Sequence, residues 1–184
     1  MGNATVFLAE GFELCEALMV VDILKRAGTA VTTAAVGESL TVKASCGVSV
    51  TADMLSSEAD YSAADMIVLP GGIPGAYNLA ASPVVRKQCV EFARSGKKVA
   101  AICASPSVVL CELGLLEGKR ATVNPGFADR MPGAVLTCEC VTVDGNITTA
   151  QALGSSMEFG LELARQLEGD EVARKLRAKI CVPG

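Results

Sequence analysis

Lys97-Lys98-Val99-Ala100-Ala101-Ile102-Cys103-Ala104-Ser105-Pro106-Ser107-Val108-Val109-Leu110 reads as a buried strand, a sharp turn and a helix. Val99 to Ile102 is a continuous apolar run, the pattern of a strand covered on both faces of a parallel sheet. Ser105 fits a helix N-cap, and Pro106 fits the first helical position, where its missing N–H costs nothing. Cys103 therefore falls at a strand's carboxyl end, beside a helix N-terminus. Backbone N–H groups and the positive end of the helix dipole favour a thiolate there. In open α/β sheets, sites gather outside such strand ends. Taken locally, the pattern fits a reactive thiol or a small buried hydrophobe.

Outward from that turn, the chain alternates strands and helices. Thr5 to Ala9 starts the sheet, and Glu10-Gly11-Phe12 turns the chain. Glu13 to Ala27 has helical spacing, with Leu14, Ala17, Leu18, Val21 and Leu24 on one face and Gly28 as the stop. Glu13 and Glu16 lie in its first turn. Glu13 reads as a favourable charge at a helix N-terminus. Glu16 lies near the apolar stripe, and a buried carboxylate needs partners or takes up a proton. Ala30 to Val36 is the second strand. Leu40–Lys43 and Val48–Thr51 form a hairpin around Ser45-Cys46-Gly47. Asp65 to Leu69 is another continuous strand and runs into Pro70-Gly71-Gly72-Ile73-Pro74-Gly75. Gly71 and Gly72 lie outside a strand end as Cys103 does, and two glycines let the backbone present N–H groups to a ligand. Ser82-Pro83 caps a helix from Val84 to Arg94. Arg120–Val123 is a short strand broken by Asn124-Pro125-Gly126. Val135–Val143 and Ile147–Thr149 form a hairpin closed by Asp144-Gly145-Asn146. Gly154–Gln166 and Glu171–Lys179 are the last helices. This alternation predicts a mostly parallel sheet with helices on both faces, a three-layer α/β sandwich of flavodoxin-like winding, in one domain over 1–184.

Composition narrows the chemistry. Of 184 residues, 51% are hydrophobic, which predicts a packed core. A net charge of −4 argues against nucleic acid or acidic membranes as partners. No leader is expected, since the first residues lack a basic segment. No apolar run approaches the roughly 18 residues of a membrane-spanning helix. Eight cysteines in so apolar a chain point to free thiols in a reducing cytoplasm. Cys15, Cys46, Cys89, Cys111 and Cys181 stand at scattered spacings. Cys138-Glu139-Cys140 places two thiols on one face of a strand, where packing is expected in preference to ligation. The chain has no histidine. That excludes a Cys–His or Ser–His–Asp hydrolase built within it, and every histidine-containing metal site. No metal or cofactor is expected.

Ala9-Glu10-Gly11-Phe12-Glu13-Leu14-Cys15-Glu16, Arg26-Ala27-Gly28, Val68-Leu69-Pro70-Gly71-Gly72, Ala100-Ala101-Ile102-Cys103-Ala104 and Ser156-Met157-Glu158-Phe159 together resemble the PfpI/ThiJ family, in its parkinsonism-associated protein deglycase branch. The resemblance implies a class I glutamine amidotransferase-like sandwich that forms a homodimer. It matches Cys103 to the family's nucleophilic, oxidation-sensitive cysteine and Glu16 to the buried glutamate that meets it. Gly72 and Ala104, beside Gly71, match the oxyanion-binding N–H positions. Members are described as glutathione-independent glyoxalases, deglycases, redox sensors and chaperones. The implied activity is that of a hydro-lyase or hydrolase acting on a small aldehyde or a glycated substrate.

Two positions depart from the family pattern. Its histidine before a proline falls here on Asn124, before Pro125. Asparagine can hold a carbonyl oxygen but exchanges no proton near neutral pH, which argues against a protease or amidase. The family's hairpin arginine is replaced by Cys46, which weakens any anion site built on it. A cysteine–glutamate mechanism survives both changes.

Overall fold

The computed structural model describes residues 1–182. Its elements, in chain order, are β1 Asn3–Ala9, α1 Leu14–Ala27, β2 Ala30–Val36, β3 Thr41–Lys43, β4 Ser49–Thr51, β5 Met54–Leu55, β6 Met66–Leu69, α2 Gly75–Ala81, α3 Pro83–Ser95 and β7 Lys98–Ile102. A π-helical segment Pro106–Cys111, β8 Arg120–Ala121, a 3₁₀ segment Pro125–Arg130, β9 Val135–Leu136, β10 Val141–Asp144, β11 Ile147–Ala150, α4 Ser156–Glu168 and α5 Asp170–Lys179 follow. Seven strands make the central sheet in the order β10-β11-β7-β6-β1-β2-β5. Only β10 runs antiparallel to its neighbour in that sheet.

The alternation of β1 divides the core in two. Val6 and Leu8 face one layer, where α1, α4 and α5 bring Ala17, Val20, Ile23, Leu24, Phe159, Leu163 and Leu176. Phe7 and Ala9 face the other, where Ala76, Leu79, Val85, Cys89, Phe92 and Val108–Leu110 cover the sheet. β6 and β7, both in the middle, are buried on both faces, which is why their sequences read as unbroken apolar runs. The expected three-layer sandwich is therefore the fold.

Several local expectations shift. In α1 the buried residues are Glu16, Ala17, Val20, Ile23 and Leu24. Leu14 and Leu18 instead line an open apolar groove with Met19, Met157 and Ile180. Gly75–Ala81 is a helix that the glycine- and proline-rich sequence concealed. The expected strand 135–143 is broken: Val135–Leu136 pairs in parallel with β8, and residues 137–140 belong to no strand. Cys138 and Cys140 are accordingly exposed rather than packed. No helix among the described residues is long and apolar enough to cross a membrane.

Candidate active site

Three chain segments meet at the carboxyl ends of β1, β6 and β7. Cys103, directly after β7, has φ of 65°. An L-residue in this left-handed region is unusual and holds its side chain off the strand's own path. Two backbone bonds fix the turn: Cys103 N–H donates to the Ala150 carbonyl (3.1 Å), and Asn124 N–H donates to the Cys103 carbonyl (3.0 Å). Ser105 stands at the expected N-cap position, with Pro106 after it, but its side chain makes no capping bond. It lies in helical conformation, and its hydroxyl donates to the Pro70 carbonyl at 2.5 Å, tying the Cys103 turn to the loop after β6.

The β1–α1 turn locks onto the same loop. Glu13 N–H donates to the Gly71 carbonyl (2.9 Å) and Gly75 N–H to the Gly11 carbonyl (3.2 Å). Glu13 is the N-cap of α1, its carboxylate accepting the Glu16 N–H at 2.6 Å. One turn in, the Glu16 side chain points into the protein and is 1% exposed. Its Oε2 accepts the Gly71 N–H at 2.9 Å, and its carboxyl hydrogen-bonds the Cys103 thiol. The glycine at 71 is required by space: a Cβ there would lie 2.4 Å from Cys103 Cβ and 2.6 Å from Glu16 Oε2. At Gly72 the backbone is left-handed, φ 91°, and turns its N–H onto the sulfur.

Gly72 and Ala104 N–H groups both donate toward Cys103 Sγ. Asn124 Nδ2 donates to it from a third side at 3.7 Å. The Asn124 amide is oriented because its Oδ1 accepts the Gly126 N–H at 2.9 Å. All the residues singled out in the sequence, Cys103, Glu16, Gly71, Gly72, Ala104 and Asn124, thus surround one sulfur atom. Sequence reading missed Ser105, Gly11 and Gly75. Gly11 and Gly75 act through backbone bonds and Ser105 through a hydroxyl that reaches a loop 35 residues away, neither of which residue type alone signals.

Electrostatics depart from the expected thiolate. Burial, then the neighbouring Glu16 charge, push the Cys103 thiol up to about 11, and the two backbone N–H groups only partly offset this. Burial likewise pushes Glu16 up to about 7, against the Cys103 and Gly71 hydrogen bonds. Between those limits the pair holds one proton. The helix-end argument lost because desolvation of a buried sulfur outweighs two N–H dipoles. Among the described residues, no group of three or more Cys, Asp or Glu side chains could hold a metal ion.

Gly71→Ala is expected to push Cys103 and Glu16 apart and to destabilise the fold by roughly 1–3 kcal/mol, as overpacking does. Thermal unfolding and the rate of Cys103 alkylation check this. An unchanged melting temperature with unchanged alkylation would contradict it.

The DJ-1/PfpI family model matches residues 3–166. Protein DJ-1 homolog B of Arabidopsis thaliana is 40% identical over 92% of this chain, which spans 39% of that longer protein. The Parkinson disease protein 7 homolog of Danio rerio is 36% identical, covering 97% of this chain and 96% of its own. A Caenorhabditis elegans relative named as a glutathione-independent glyoxalase is 29% identical over 94% of this chain and 92% of its own. The solved structure of oxidized DJ-1 from Toxoplasma gondii superposes with a TM-score of 0.95, at 36% identity and 98% coverage of both chains. With a matching fold, a family model over most of its length and full-length relatives of this similarity, the chain belongs to the DJ-1/PfpI family.

Proposed function

We propose that this protein converts small 2-oxoaldehydes such as methylglyoxal to 2-hydroxy acids, with Cys103 as nucleophile and Glu16 as proton shuttle. The observation that carries the reading is the contact of the buried Glu16 carboxyl with the Cys103 thiol, both held against Gly71. A carboxyl near 7 is matched to proton transfer at neutral pH. As Cys103 sulfur bonds to the aldehyde carbon, the thiol proton passes to Glu16. Glu16 returns it to the aldehyde oxygen, giving a hemithioacetal. Gly72 and Ala104 N–H groups meet the negative charge that builds on that oxygen, each such donor contributing about 2.7–4 kcal/mol. Glu16 then takes the proton from the first carbon and delivers it to the second, through an enediol. This leaves a thioester of the 2-hydroxy acid, which water hydrolyses, releasing the acid and restoring the thiol. Asn124 orients a substrate oxygen. The relative named as a glutathione-independent glyoxalase supports this assignment. The test is direct: pure protein is incubated with methylglyoxal and lactate is followed. No lactate would end the reading.

Asn124→Ala is expected to lower kcat/KM about tenfold, the worth of one lost hydrogen bond. Steady-state kinetics check it, and an unchanged kcat/KM would remove Asn124 from the substrate site.

A second use of the same sulfur is favoured by its three converging N–H donors. They suit the oxygen of a sulfenate. Attack of the sulfur on a hydroperoxide would yield the Cys103 sulfenic acid and water or an alcohol, making the chain a stress sensor or chaperone switch. Peroxide titration followed by mass spectrometry should add oxygen to Cys103 ahead of the other seven cysteines. Uniform oxidation would speak against it. We further infer a homodimer in the cytoplasm. The apolar groove lined by Leu14, Leu18, Met19, Met157 and Ile180 supports the first, and eight free thiols support the second.

A further inference from the structure

The Cys138-Glu139-Cys140 motif is left unused by the Cys103 site. Both cysteines are exposed and both thiols are free. Had the strand run through residues 135–143, the ladder would have kept this segment extended. Instead residues 137–140 lie outside any strand, and the backbone bends at Cys140. Residues two apart span at most about 7 Å, so outside a ladder their Cα atoms can come within the roughly 4.4–6.8 Å that a disulfide bridges.

The loop is held at both ends. Thr137 N–H donates to the Ala121 carbonyl (2.8 Å), and Gln151 N–H to the Cys140 carbonyl (3.1 Å). The Thr137 and Thr142 hydroxyls hydrogen-bond across its base. Gln151 Nε2 donates to the Cys138 carbonyl at 3.4 Å. Between the two cysteines, Glu139 is drawn onto Arg120, whose Nη2 donates to it at 2.8 Å, and onto the Thr142 hydroxyl. With Glu139 held by Arg120 and Thr142, the exposed Cys138 and Cys140 flank it in solvent.

The register also shows what this pair does not do. Val141, Ala150 and Ile102 align across β10, β11 and β7. One step outward on that row stand Cys140, Gln151 and Cys103. Two strand spacings, about 10 Å, separate Cys140 from Cys103, beyond disulfide reach.

We propose that Cys138 and Cys140 form a second redox centre, a dithiol that exchanges with low-molecular-weight disulfides such as glutathione disulfide. One cysteine, as its thiolate, attacks a sulfur of the small disulfide, forming a mixed disulfide and expelling one small thiolate. The other cysteine attacks the loop sulfur of that mixed disulfide, closing the Cys138–Cys140 bond and expelling the second. The loop loses two electrons and two protons, and the small disulfide becomes two thiols. Excess small thiol reverses the steps.

The experiment incubates the full-length protein with glutathione disulfide, quenches with acid, alkylates the remaining thiols and reads each cysteine by mass spectrometry. In wild type the peptide carrying Cys138 and Cys140 is expected to become lighter by two hydrogens. Because the second step is intramolecular, the glutathione adduct on the loop should not accumulate, whereas exposed Cys15, Cys46 and Cys181 should stop at glutathione adducts. Cys138→Ser and Cys140→Ser should each stop at a stable glutathione adduct on the remaining loop cysteine. Cys103→Ala should close the loop as wild type does, so the outcome does not depend on the aldehyde chemistry. Absence of the lighter peptide, a stable glutathione adduct on the wild-type loop, or disulfide-linked dimers through the loop would each overturn the proposal.

Discussion

Cys103→Ala is expected to abolish lactate formation from methylglyoxal, a loss of roughly 10⁴-fold or more in kcat, because no other group near Glu16 can form the carbon–sulfur bond. Lactate assay of the purified variant checks it, and residual turnover near wild type would remove Cys103 as nucleophile. The same position makes a stability prediction of opposite sign. Cys103 sits at φ 65°, where an L-residue pays about 1–2 kcal/mol that glycine does not. Cys103→Gly should therefore be about 1 kcal/mol more stable than Cys103→Ala, since the two differ only in the Cβ that suffers there. Chemical denaturation of the two variants measures this difference. Equal stabilities would mean that the left-handed turn stores no strain.

Glu16→Gln carries the second large effect. Glutamine can still accept the Gly71 N–H but cannot move a proton, so kcat should fall by about 10²–10⁴-fold. The wild-type rate should fall tenfold per pH unit below about 7 and level off above it, because the working form has Glu16 ionised and Cys103 protonated. In Glu16→Gln that limb should vanish. Stability must move the other way. The folded carboxyl is raised from 4.5 to about 7, so between these values the folded protein binds a proton that the unfolded chain has released. Wild-type stability is then full below pH 4.5, declines as pH rises to about 7, and stays at the lower level above. Glu16→Gln escapes the decline and should gain up to about 3 kcal/mol at pH 8 relative to wild type. A pH-rate profile and denaturation at pH 5 and pH 8 test both halves. A variant with wild-type activity, or with no pH-dependent gain in stability, would contradict the assignment of the buried proton to Glu16.

The two effects express one trade. Burying a carboxyl at the sheet's end costs folding free energy, and that same burial brings its proton affinity to neutrality. The glycine at 71 permits it, since any side chain there would occupy the space where Glu16 and Cys103 touch.

Much of this was written in the chain itself. Strands β6 and β7 announce themselves because burial on both faces demands unbroken apolar runs, and Gly28 and Gly96 mark helix ends in left-handed conformation. The absence of histidine confined any nucleophile to a partner other than imidazole. Cys103, Glu16, Gly71 and Gly72 could be singled out because a strand end, a first-turn carboxylate beside an apolar stripe and a glycine pair have local signatures, whereas Ala104 and Asn124 were named only through the family resemblance. Three things were decided only in three dimensions. Sheet order brought the ends of β1, β6 and β7 side by side, so that Glu16 and Cys103, far apart in sequence, share one proton while Gly71 N–H steadies the carboxylate. Desolvation, a property of surroundings rather than of residue type, turned the expected thiolate into a thiol that needs its carboxylate neighbour. Pairing of Val135–Leu136 with β8 ended the expected long strand early and left Cys138 and Cys140 in solvent. Local pattern records what a segment prefers, whereas the environment of a charge or a thiol is set by segments that the sequence places elsewhere.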